Sequence, residues 1–190
     1  MMKHLIIYAH PNANSLNSQL KHTLIEHLEN NHHEVVLRDL YLLNFDPVLS
    51  LHDMEGQRKG TIAEDVKREQ EFIAWADCIT FIHPIWWTGL PAIMKGYIDR
   101  VFSYGFAYRY DAGVQKGMLS GKQTIIINTQ GKSKAEYESI GMDKALLLTS
   151  DKGIYIYCGL EIKHHFFFDA ADRATPEIIE EWKTKIRSVF

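Results

Sequence analysis

Three short stretches of the sequence combine residue types that could bind a ligand, and the first lies close to the N-terminus. It reads AHPNANSLN, where Ser15 and Asn17 are of the type that caps a helix. A helix N-terminus binds anions such as phosphate through its unpaired N–H groups and its positive dipole end. The alternative is an ordinary capped helix start shaped by His10 and Pro11. The stretch matches neither GxGxxG nor the Walker phosphate-loop pattern, so no Rossmann dinucleotide site is predicted.

The second stretch reads PIWWTGLPA and places two adjacent tryptophans after an apolar run. Trp87 could stack on a planar aromatic ligand, while main-chain N–H groups reach the polar edge of that ligand. Gly89 and Pro91 would fix the backbone of this stretch. The alternative is that both rings cover the top of a sheet or fill an interface between subunits.

Apolar runs that predict strands alternate with segments that have helical periodicity. The predicted strands are 3–9, 33–40, 77–83, 122–128 and 160–168. The predicted helices are 15–30, 62–76, 92–102, 142–159 and 177–189. Local propensity alone predicts a strand in part of 142–159. If the fourth and fifth predicted strands are parallel neighbours, however, a crossover helix must connect them. A helix over this segment would place Leu147, Ile154 and Cys158 on one face. Segments 41–60, 103–120 and 129–141 are predicted to be connections.

This alternation predicts an α/β fold, in which a five-stranded parallel sheet lies between two layers of helices. The 190 residues are expected to form one domain. Ligands bind such sheets at the carboxyl ends of the strands, near the point where strand order reverses. That rule directs attention to the loops 10–17, 84–91 and 129–137, so both stretches described above fall on the expected edge.

Composition limits the partners and the compartment. The chain has 21 Lys+Arg and 24 Asp+Glu, for a net charge of -3, which gives no general electrostatic reason to bind nucleic acid or an anionic membrane. No apolar run approaches the length of a membrane span, and the N-terminus lacks a signal-peptide pattern. Cys78 and Cys158 lie in apolar stretches and are expected to be buried thiols in a reducing, cytoplasmic environment.

Two further groups of polar residues are interpreted as structural. The histidine pairs 32–33 and 164–165 predict no metal site, because adjacent residues of a strand point to opposite faces. A solvated helix face is expected from the charged residues Asp65, Lys67, Arg68, Glu69 and Glu71.

The segment PIWWTGLPAIMKGYIDRVFSYGFAY resembles the central signature of the flavodoxin-like NAD(P)H:quinone oxidoreductases, the DT-diaphorase family. AHPNANSLN resembles the flavin phosphate loop of that family. NFDPVLS, YCGLEIKHHFFF and EEWKTKI extend the likeness to nearly the whole chain. The chain is similar to the shorter bacterial members, which lack the C-terminal extension of the animal enzymes. This resemblance implies a flavodoxin-like three-layer sandwich with strand order 2-1-3-4-5.

The resemblance also implies a role for each residue that matches a family motif. The flavin phosphate would be surrounded by His10, Ser15, Leu16 and Asn17. One edge of the isoalloxazine would be lined by Pro84, Ile85, Trp86, Trp87 and Thr88, and its pyrimidine side by Asn128, Thr129, Gln130 and Gly131. The family's catalytic unit is a homodimer, so the substrate cavity would be capped from the neighbouring subunit by Phe106, Tyr108 and Tyr110.

The third loop departs from the family pattern. The family usually reads close to TTGG where this chain reads NTQG, so Gln130 replaces a glycine and the family's local backbone conformation does not carry over automatically. Tyr137 is the counterpart of the active-site tyrosine, one residue away from its usual place. Asp143 stands where the animal enzymes have a histidine, so the relay through that histidine does not carry over.

The implied activity is ping-pong hydride transfer from NADH or NADPH to flavin N5, and from there to a quinone or similar planar acceptor. Backbone N–H groups of residues 129–131 would stabilise negative charge near N1 and O2 of the reduced flavin. Tyr137 would orient or protonate the quinone oxygen. Lys132 and Lys134 are expected in a solvated loop rather than in the mechanism.

Other functions stay open at this point. A flavodoxin-type electron carrier is disfavoured because the chain lacks a Ser/Thr-rich phosphate loop. A regulatory flavoprotein subunit of a potassium-efflux system, with a membrane transporter as its partner, is an alternative, and so is a nitro or azo reductase. The phosphate loop serves FMN and FAD alike, and FMN is favoured because no residue can be assigned to an adenosine group.

Overall fold

The computed structural model describes residues 1–190, in which seven strands alternate with helices. The strands are β1 (Lys3–Tyr8), β2 (Glu34–Asp39), β3 (Cys78–Pro84), β4 (Tyr108–Asp111), β5 (Val114–Gly117), β6 (Gln123–Thr129) and β7 (Glu161–Phe168). The α-helices are α1 (Leu16–Asn30), α2 (Leu51–Lys59), α3 (Glu64–Trp75), α4 (Ala92–Val101), α5 (Lys134–Ile140), α6 (Met142–Leu146) and α7 (Pro176–Arg187). A π-helix follows α6 at Leu147–Ile156, and a short 3-10 helix covers Ala171–Arg173.

Five strands form a parallel sheet in the order β2-β1-β3-β6-β7. The expected five-stranded parallel core is confirmed, and the numbering differs because β4 and β5 form a separate antiparallel hairpin. The connections leave β1 in opposite directions, toward β2 on one side and toward β3 on the other. The order therefore reverses between β1 and β3, which is where a crevice opens in such sheets.

Helices cover both faces of the sheet, which explains why β3 is buried along its whole length. One face packs against α1 and α7, through residues that include Leu20, Leu24 and Trp182. The other face packs against α3, α4 and the π-helix, through residues that include Ile73 and Tyr97. Because both faces of the sheet are covered, its central strands have apolar residues at consecutive positions rather than at every second one.

The connections predicted as irregular contain regular elements. The segment 41–60 holds α2 and the segment 129–141 holds α5, and each begins with a capping box in which Ser50 or Ser133 exchanges hydrogen bonds with an acidic residue three positions later. The segment 103–120 holds the β4–β5 hairpin, whose turn residues Ala112 and Gly113 both have positive φ. All three elements are short and mostly exposed, so they carry little apolar periodicity.

The segment 142–159 is helical, as topology predicts, but most of it is π-helix rather than α-helix. A π-helix bonds residue i to i+5, which changes the residues that share one face. Tyr155 and Cys158 are buried, whereas Leu147 is 41% exposed. The expectation that Leu147 lies on the buried face is therefore wrong.

The charged face predicted for α3 is only partly solvated. Glu69 is 3% exposed and binds Arg38 of β2 through both carboxylate oxygens, and Tyr97 donates a hydrogen bond to it at 3.4 Å. Asp65 pairs with Arg100 of α4 at 2.6 Å. The expectation of a fully solvated face is wrong for Glu69, because β2 and α4 pack against this side of the helix and supply the opposite charge.

Burial raises the pKa of both cysteine thiols to about 12, in agreement with the prediction that Cys78 and Cys158 are buried. No helix has the length and apolar character that a membrane span requires. No group of three or more His, Cys, Asp or Glu side chains is arranged to hold a metal ion.

Candidate active site

A cleft of about 450 Å³ opens at the carboxyl ends of β1, β3 and β6, where the strand order reverses. Its volume falls within the range of about 300–1,000 Å³ that is usual for small-molecule sites. Ten residues singled out from the sequence line it: His10, Ser15, Leu16, Asn17, Pro84, Ile85, Trp86, Thr129, Gln130 and Gly131. Ala171 and Asp172, which the sequence reasoning missed, complete the lining.

The first wall of the cleft is the start of α1. Ser15 is the N-cap, and its Oγ accepts a hydrogen bond from the N–H of Ser18 at 3.1 Å. The N–H groups of Leu16 and Asn17 lie in the first turn, where no helical carbonyl can accept from them, and they make no other backbone hydrogen bond. Two donors and the positive end of the dipole are therefore free for an anion.

Asn17 joins the first wall to the end of β6. Its side chain is 3% exposed, and its Nδ2 donates to Thr129 Oγ1 at 2.8 Å. Its Oδ1 is buried and has no hydrogen-bond partner. Because an unpaired buried acceptor is costly, a donor from a bound molecule would stabilise this residue.

The second wall ends in a tight turn after β3. Trp86 and Gly89 exchange two backbone hydrogen bonds of 3.1 Å, and the central residues Trp87 and Thr88 have φ of +50° and +57°. Positive φ at both positions is the pattern of a type I′ turn, which is strained for residues with large or β-branched side chains. Neither N–H group of the central pair makes a backbone hydrogen bond. The Trp87 side chain is fully exposed, so it offers a flat apolar surface.

His10 lies against this second wall. Its ring centroid is 5.6 Å from that of Trp86, and its Nδ1 accepts a hydrogen bond from the N–H of Asn12. Burial lowers the pKa of His10, which favours a neutral ring at pH 7. An anion at the start of α1 would therefore be bound by N–H groups and the helix dipole rather than by a cationic His10.

The third wall is the loop after β6. The N–H of Ile85 donates to the Thr129 carbonyl at 2.8 Å, which links the second and third walls. Gln130 is 4% exposed, its N–H donates to the Phe168 carbonyl, and its Nε2 donates to the Lys132 carbonyl. Gln130 does not adopt a positive φ, so this loop does not need the glycine of the family pattern. Its Oε1 is buried without a partner, like Asn17 Oδ1.

A second cavity of about 270 Å³ adjoins the cleft and shares Gln130 with it. Tyr137 and Asp143 both line this cavity, together with the apolar side chains of Leu146, Leu147 and Phe167. Asp143 Oδ1 is buried and has no hydrogen-bond partner.

The two lysines of this loop pair with acidic residues on the surface of α5. Lys132 binds Glu136 at 2.9 Å and Lys134 lies 3.6 Å from Glu138, and all four side chains are exposed. The Lys132 ammonium lowers the pKa of Glu136 to about 2, with further hydrogen bonds from Ser133.

The remaining candidate residues lie outside the cleft of this chain. Tyr108 and Tyr110 lie on the β4–β5 hairpin, where the Tyr110 hydroxyl is 3.0 Å from that of Tyr157, and Phe106 precedes the hairpin. Asn128 is buried below the cleft, between His83 and His165. Trp87 and Thr88 form the tip of the turn after β3 and do not line the cleft.

The donor set of the cleft fits a flavin nucleotide. The free N–H groups of α1 suit a phosphate, and the buried oxygens of Asn17 and Gln130 suit hydroxyl donors such as those of a ribityl chain. Trp87 offers a face for a flat ring. The missed residues Ala171 and Asp172 follow β7, so the rule that ligands bind at the carboxyl ends of strands could have included them.

Comparison with known proteins finds relatives that are named as NAD(P)H oxidoreductases and quinone dehydrogenases. A Haemophilus influenzae protein named as an uncharacterized NAD(P)H oxidoreductase is 40% identical over 184 residues, which cover 94% of this chain and 91% of that protein. The NAD(P)H dehydrogenase [quinone] 1 of Rattus norvegicus is 30% identical, over 98% of this chain and 77% of that enzyme.

The structure of an NAD(P)H:quinone oxidoreductase from Methanothermobacter marburgensis superposes with a TM-score of 0.86 at 25% identity, covering 98% of this chain and 96% of that one. A family model described as the flavodoxin-like fold matches residues 2–189. With nearly every residue inside that match, the chain belongs to the flavodoxin-like fold family.

Proposed function

We propose that this protein is a flavin-dependent NAD(P)H:quinone oxidoreductase. The observation that carries the proposal is the cleft itself, which joins free N–H donors at the start of α1 to an exposed tryptophan turn and to two unpaired amide oxygens. Relatives that cover most of the chain carry the names of NAD(P)H oxidoreductases and quinone dehydrogenases, which supports the same activity.

The residues of the three walls would hold the flavin in distinct ways. The N–H groups of Leu16 and Asn17 would bind its phosphate, while Asn17 Oδ1 and Gln130 Oε1 would accept hydrogen bonds from its hydroxyls. The loops that begin at Pro84 and Thr129 would hold the two edges of the ring. When bound, the flavin supplies hydride transfer between a nicotinamide and an acceptor.

The nicotinamide and the quinone would enter the same open cleft in turn. Two substrates that share one face predict ping-pong kinetics. Tyr137 would donate a hydrogen bond to the quinone oxygen. In a homodimer, the aromatic residues Phe106, Tyr108 and Tyr110 of one subunit would close the cavity of the other.

Cofactor extraction and reconstitution test this proposal. We favour FMN over FAD, so the flavin released from purified protein should have the mass of FMN, and flavin-free protein should bind added FMN. The reconstituted protein should oxidise NADH or NADPH steadily with a soluble benzoquinone. Turnover with an azo dye and none with the quinone would assign the azoreductase alternative, and absence of flavin binding would overturn the proposal.

A pair of variants locates the site. Asn17→Leu removes the donor to Thr129 and the unpaired buried oxygen, and we expect the Kd for FMN to rise roughly tenfold or more. Asn30→Leu, at the exposed far end of the same helix, is the matched control and should leave the Kd unchanged. Equal affinities of the two variants would place the flavin elsewhere.

A further inference from the structure

A series of hydrogen-bonded polar side chains, some buried and some partly buried, runs from the π-helix to the carbonyl of Pro84 at the edge of the cleft. Asp151 Oδ1 lies 2.8 Å from His165 Nδ1, and His165 Nε2 lies 2.8 Å from Asn128 Oδ1. Asn128 Nδ2 lies 3.2 Å from His83 Nε2 and 3.3 Å from His83 Nδ1, and His83 Nδ1 lies 3.0 Å from the Pro84 oxygen. None of the roles described above uses Asp151 or His165.

The hydrogen-bond acceptors around His165 indicate which of its ring nitrogens carry hydrogen. Asn128 Nδ2 also donates to the backbone oxygen of His83 at 3.0 Å, which fixes the Oδ1 of the same amide toward His165. An amide oxygen and an ionised carboxylate can only accept hydrogen bonds. The hydrogen-bond geometry is therefore that of a ring with hydrogen on both nitrogens, paired with an ionised Asp151.

The surroundings of this ion pair exclude most solvent. The side chains of His165 and Asp151 are 5% and 13% exposed, and the His165 ring stacks on Phe167 with centroids 3.9 Å apart. The Ser150 hydroxyl lies 2.8 Å from Asp151 Oδ1, and the fully buried hydroxyl of Tyr155 has no partner. Each charge of a buried pair depends on the other, because removal of one partner leaves an uncompensated charge.

His83, at the end of this hydrogen-bonded series that is farthest from Asp151, is neutral at pH 7. His83 is fully buried, and burial lowers its pKa to about 4, with the nearby His165 acting in the same direction. A neutral ring with hydrogen on Nδ1 can donate to the Pro84 oxygen and accept at Nε2 from Asn128. In this assignment His165 donates to Asn128, Asn128 donates to His83, and His83 donates to the Pro84 oxygen.

His83 and Asn128 are each adjacent in sequence to a residue that lines the cleft. His83 immediately precedes Pro84, and Asn128 immediately precedes Thr129. These two segments are linked by the hydrogen bond from Ile85 to the Thr129 carbonyl. We propose that Asp151 and His165 are positioning residues, whose partly buried ion pair orients Asn128 and His83 and thereby sets the geometry of both cleft segments.

The ion pair can be tested on the flavin-free protein by NMR of its histidine side chains labelled with ¹⁵N. At pH 7 we expect both ring nitrogens of His165 to carry hydrogen, and His83 to be neutral with hydrogen on Nδ1. Asp151→Asn should remove one ring proton from His165 and shift the amide signals of Ile85 and Trp86. Asp151→Glu, which keeps the charge, should restore the imidazolium.

Glu161→Gln is the matched control, because Glu161 pairs with Lys163 on the exposed part of the same strand as His165. This variant should move neither the His165 ring signals nor the amides of the cleft. If Asp151→Asn fails to fold, His165→Gln replaces it, since its amide can still donate to Asn128 Oδ1 without a charge. It should shift the same Ile85 and Trp86 amides.

A titration with FMN then measures the effect on the cleft, and this arm alone rests on the proposed function. Asp151→Asn should raise the Kd for FMN roughly tenfold, and Asp151→Glu should recover most of the affinity. A neutral His165 in the unmodified protein would overturn the ion pair. Unmoved cleft amides in the charge-removing variant would overturn the positioning role. Failure of the unmodified protein to bind FMN would contradict only the proposed function.

Discussion

Asn17 and Gln130 each keep a buried amide oxygen without a hydrogen-bond partner at the wall of the cleft. Such a group costs about 1–3 kcal/mol of folding free energy relative to a satisfied one. The other amide atoms of both residues are well bonded, to Thr129 Oγ1 and to the Lys132 carbonyl, so the two oxygens stay fixed in place. A ligand that donates to both oxygens would recover that cost, which makes them contributors to affinity as well as to shape.

The proposed role of Tyr137 rests on its hydroxyl group, which would donate a hydrogen bond to the acceptor. It lines the second cavity beside Asp143, and the resemblance gives it a hydrogen bond to the acceptor. One such bond contributes about 0.5–1.5 kcal/mol, so Tyr137→Phe should lower kcat/KM for a quinone by up to roughly tenfold. FMN affinity should not change. Tyr41→Phe is the control, and unchanged quinone turnover in Tyr137→Phe would remove this hydroxyl from the mechanism.

His4 makes the stability of the fold depend on pH. It is 2% exposed, both ring nitrogens lack partners, and burial together with nearby His33 lowers its pKa to about 4. Between pH 6.5 and 4 the unfolded chain binds a proton at this residue and the folded chain does not. Stability therefore falls as pH decreases through that window, by about 3 kcal/mol at most from His4 alone, and falls no further below it.

Urea unfolding at pH 7 and pH 4.5 checks this prediction. The chain with His4→Phe should lose less stability between the two pH values than the unmodified chain, because one of the buried neutral histidines is gone. His83, whose pKa is also lowered to about 4, is present in both proteins and contributes equally. An identical loss of stability in both proteins would show that His4 is not responsible.

At the scale of elements, the sequence predicts the strands that form long apolar runs. It does not predict a hairpin whose turn lacks a common motif, or the burial of a charged residue that depends on a partner far away in sequence. β1 and β3 are found because two helical layers bury β3 along its whole length and β1 everywhere except at Lys3. The β4–β5 hairpin is missed because its turn reads Ala112–Gly113 rather than Asn-Gly or Asp-Gly. The burial of Glu69 depends on Arg38, 31 positions away, and no local pattern reports such a contact.

Gly96 of α4 lies against the 41–60 connection, which the sequence predicts to be irregular. A Cβ at this position would overlap the backbone oxygen of Pro47, so the helix and the 41–60 connection touch through backbone atoms. Gly96→Ala gains up to about 1 kcal/mol of helix propensity, but overpacking costs about 1–3 kcal/mol. We expect a net loss of stability, measured by urea unfolding.

Lys95→Ala, at an exposed neighbouring position of the same helix, is the control, because it changes helix propensity and an exposed ion pair with Asp99 but no packing against residues 41–60. It should change the free energy of unfolding by no more than about 0.5 kcal/mol, as is usual for surface substitutions. Stabilisation by Gly96→Ala would mean that the connection can move away from α4 without cost.

At the scale of the whole molecule, the candidate site exists only because the sheet is parallel. The ends of β1, β3, β6 and β7 meet at one edge, and they bring together residues that are more than 150 positions apart in sequence, such as His10 and Asp172. The family motifs suggest ten of the lining residues, because those lie in two contiguous signatures and one short loop. Ala171 and Asp172 were missed, since their stretch has no motif and reaches the cleft only through the position of β7.

A ligand that binds across this edge should stabilise the whole fold, because it connects segments from both ends of the chain. At a free FMN concentration 100 times its Kd, we expect about 2.7 kcal/mol of added stability, or an increase in Tm of roughly 5–10 °C for a chain of this size. Differential scanning fluorimetry or calorimetry gives the measurement. Riboflavin, which lacks the phosphate, leaves the N–H groups of Leu16 and Asn17 unpaired and should raise Tm less at the same concentration. Equal shifts from FMN and riboflavin would mean that the start of α1 does not bind the phosphate.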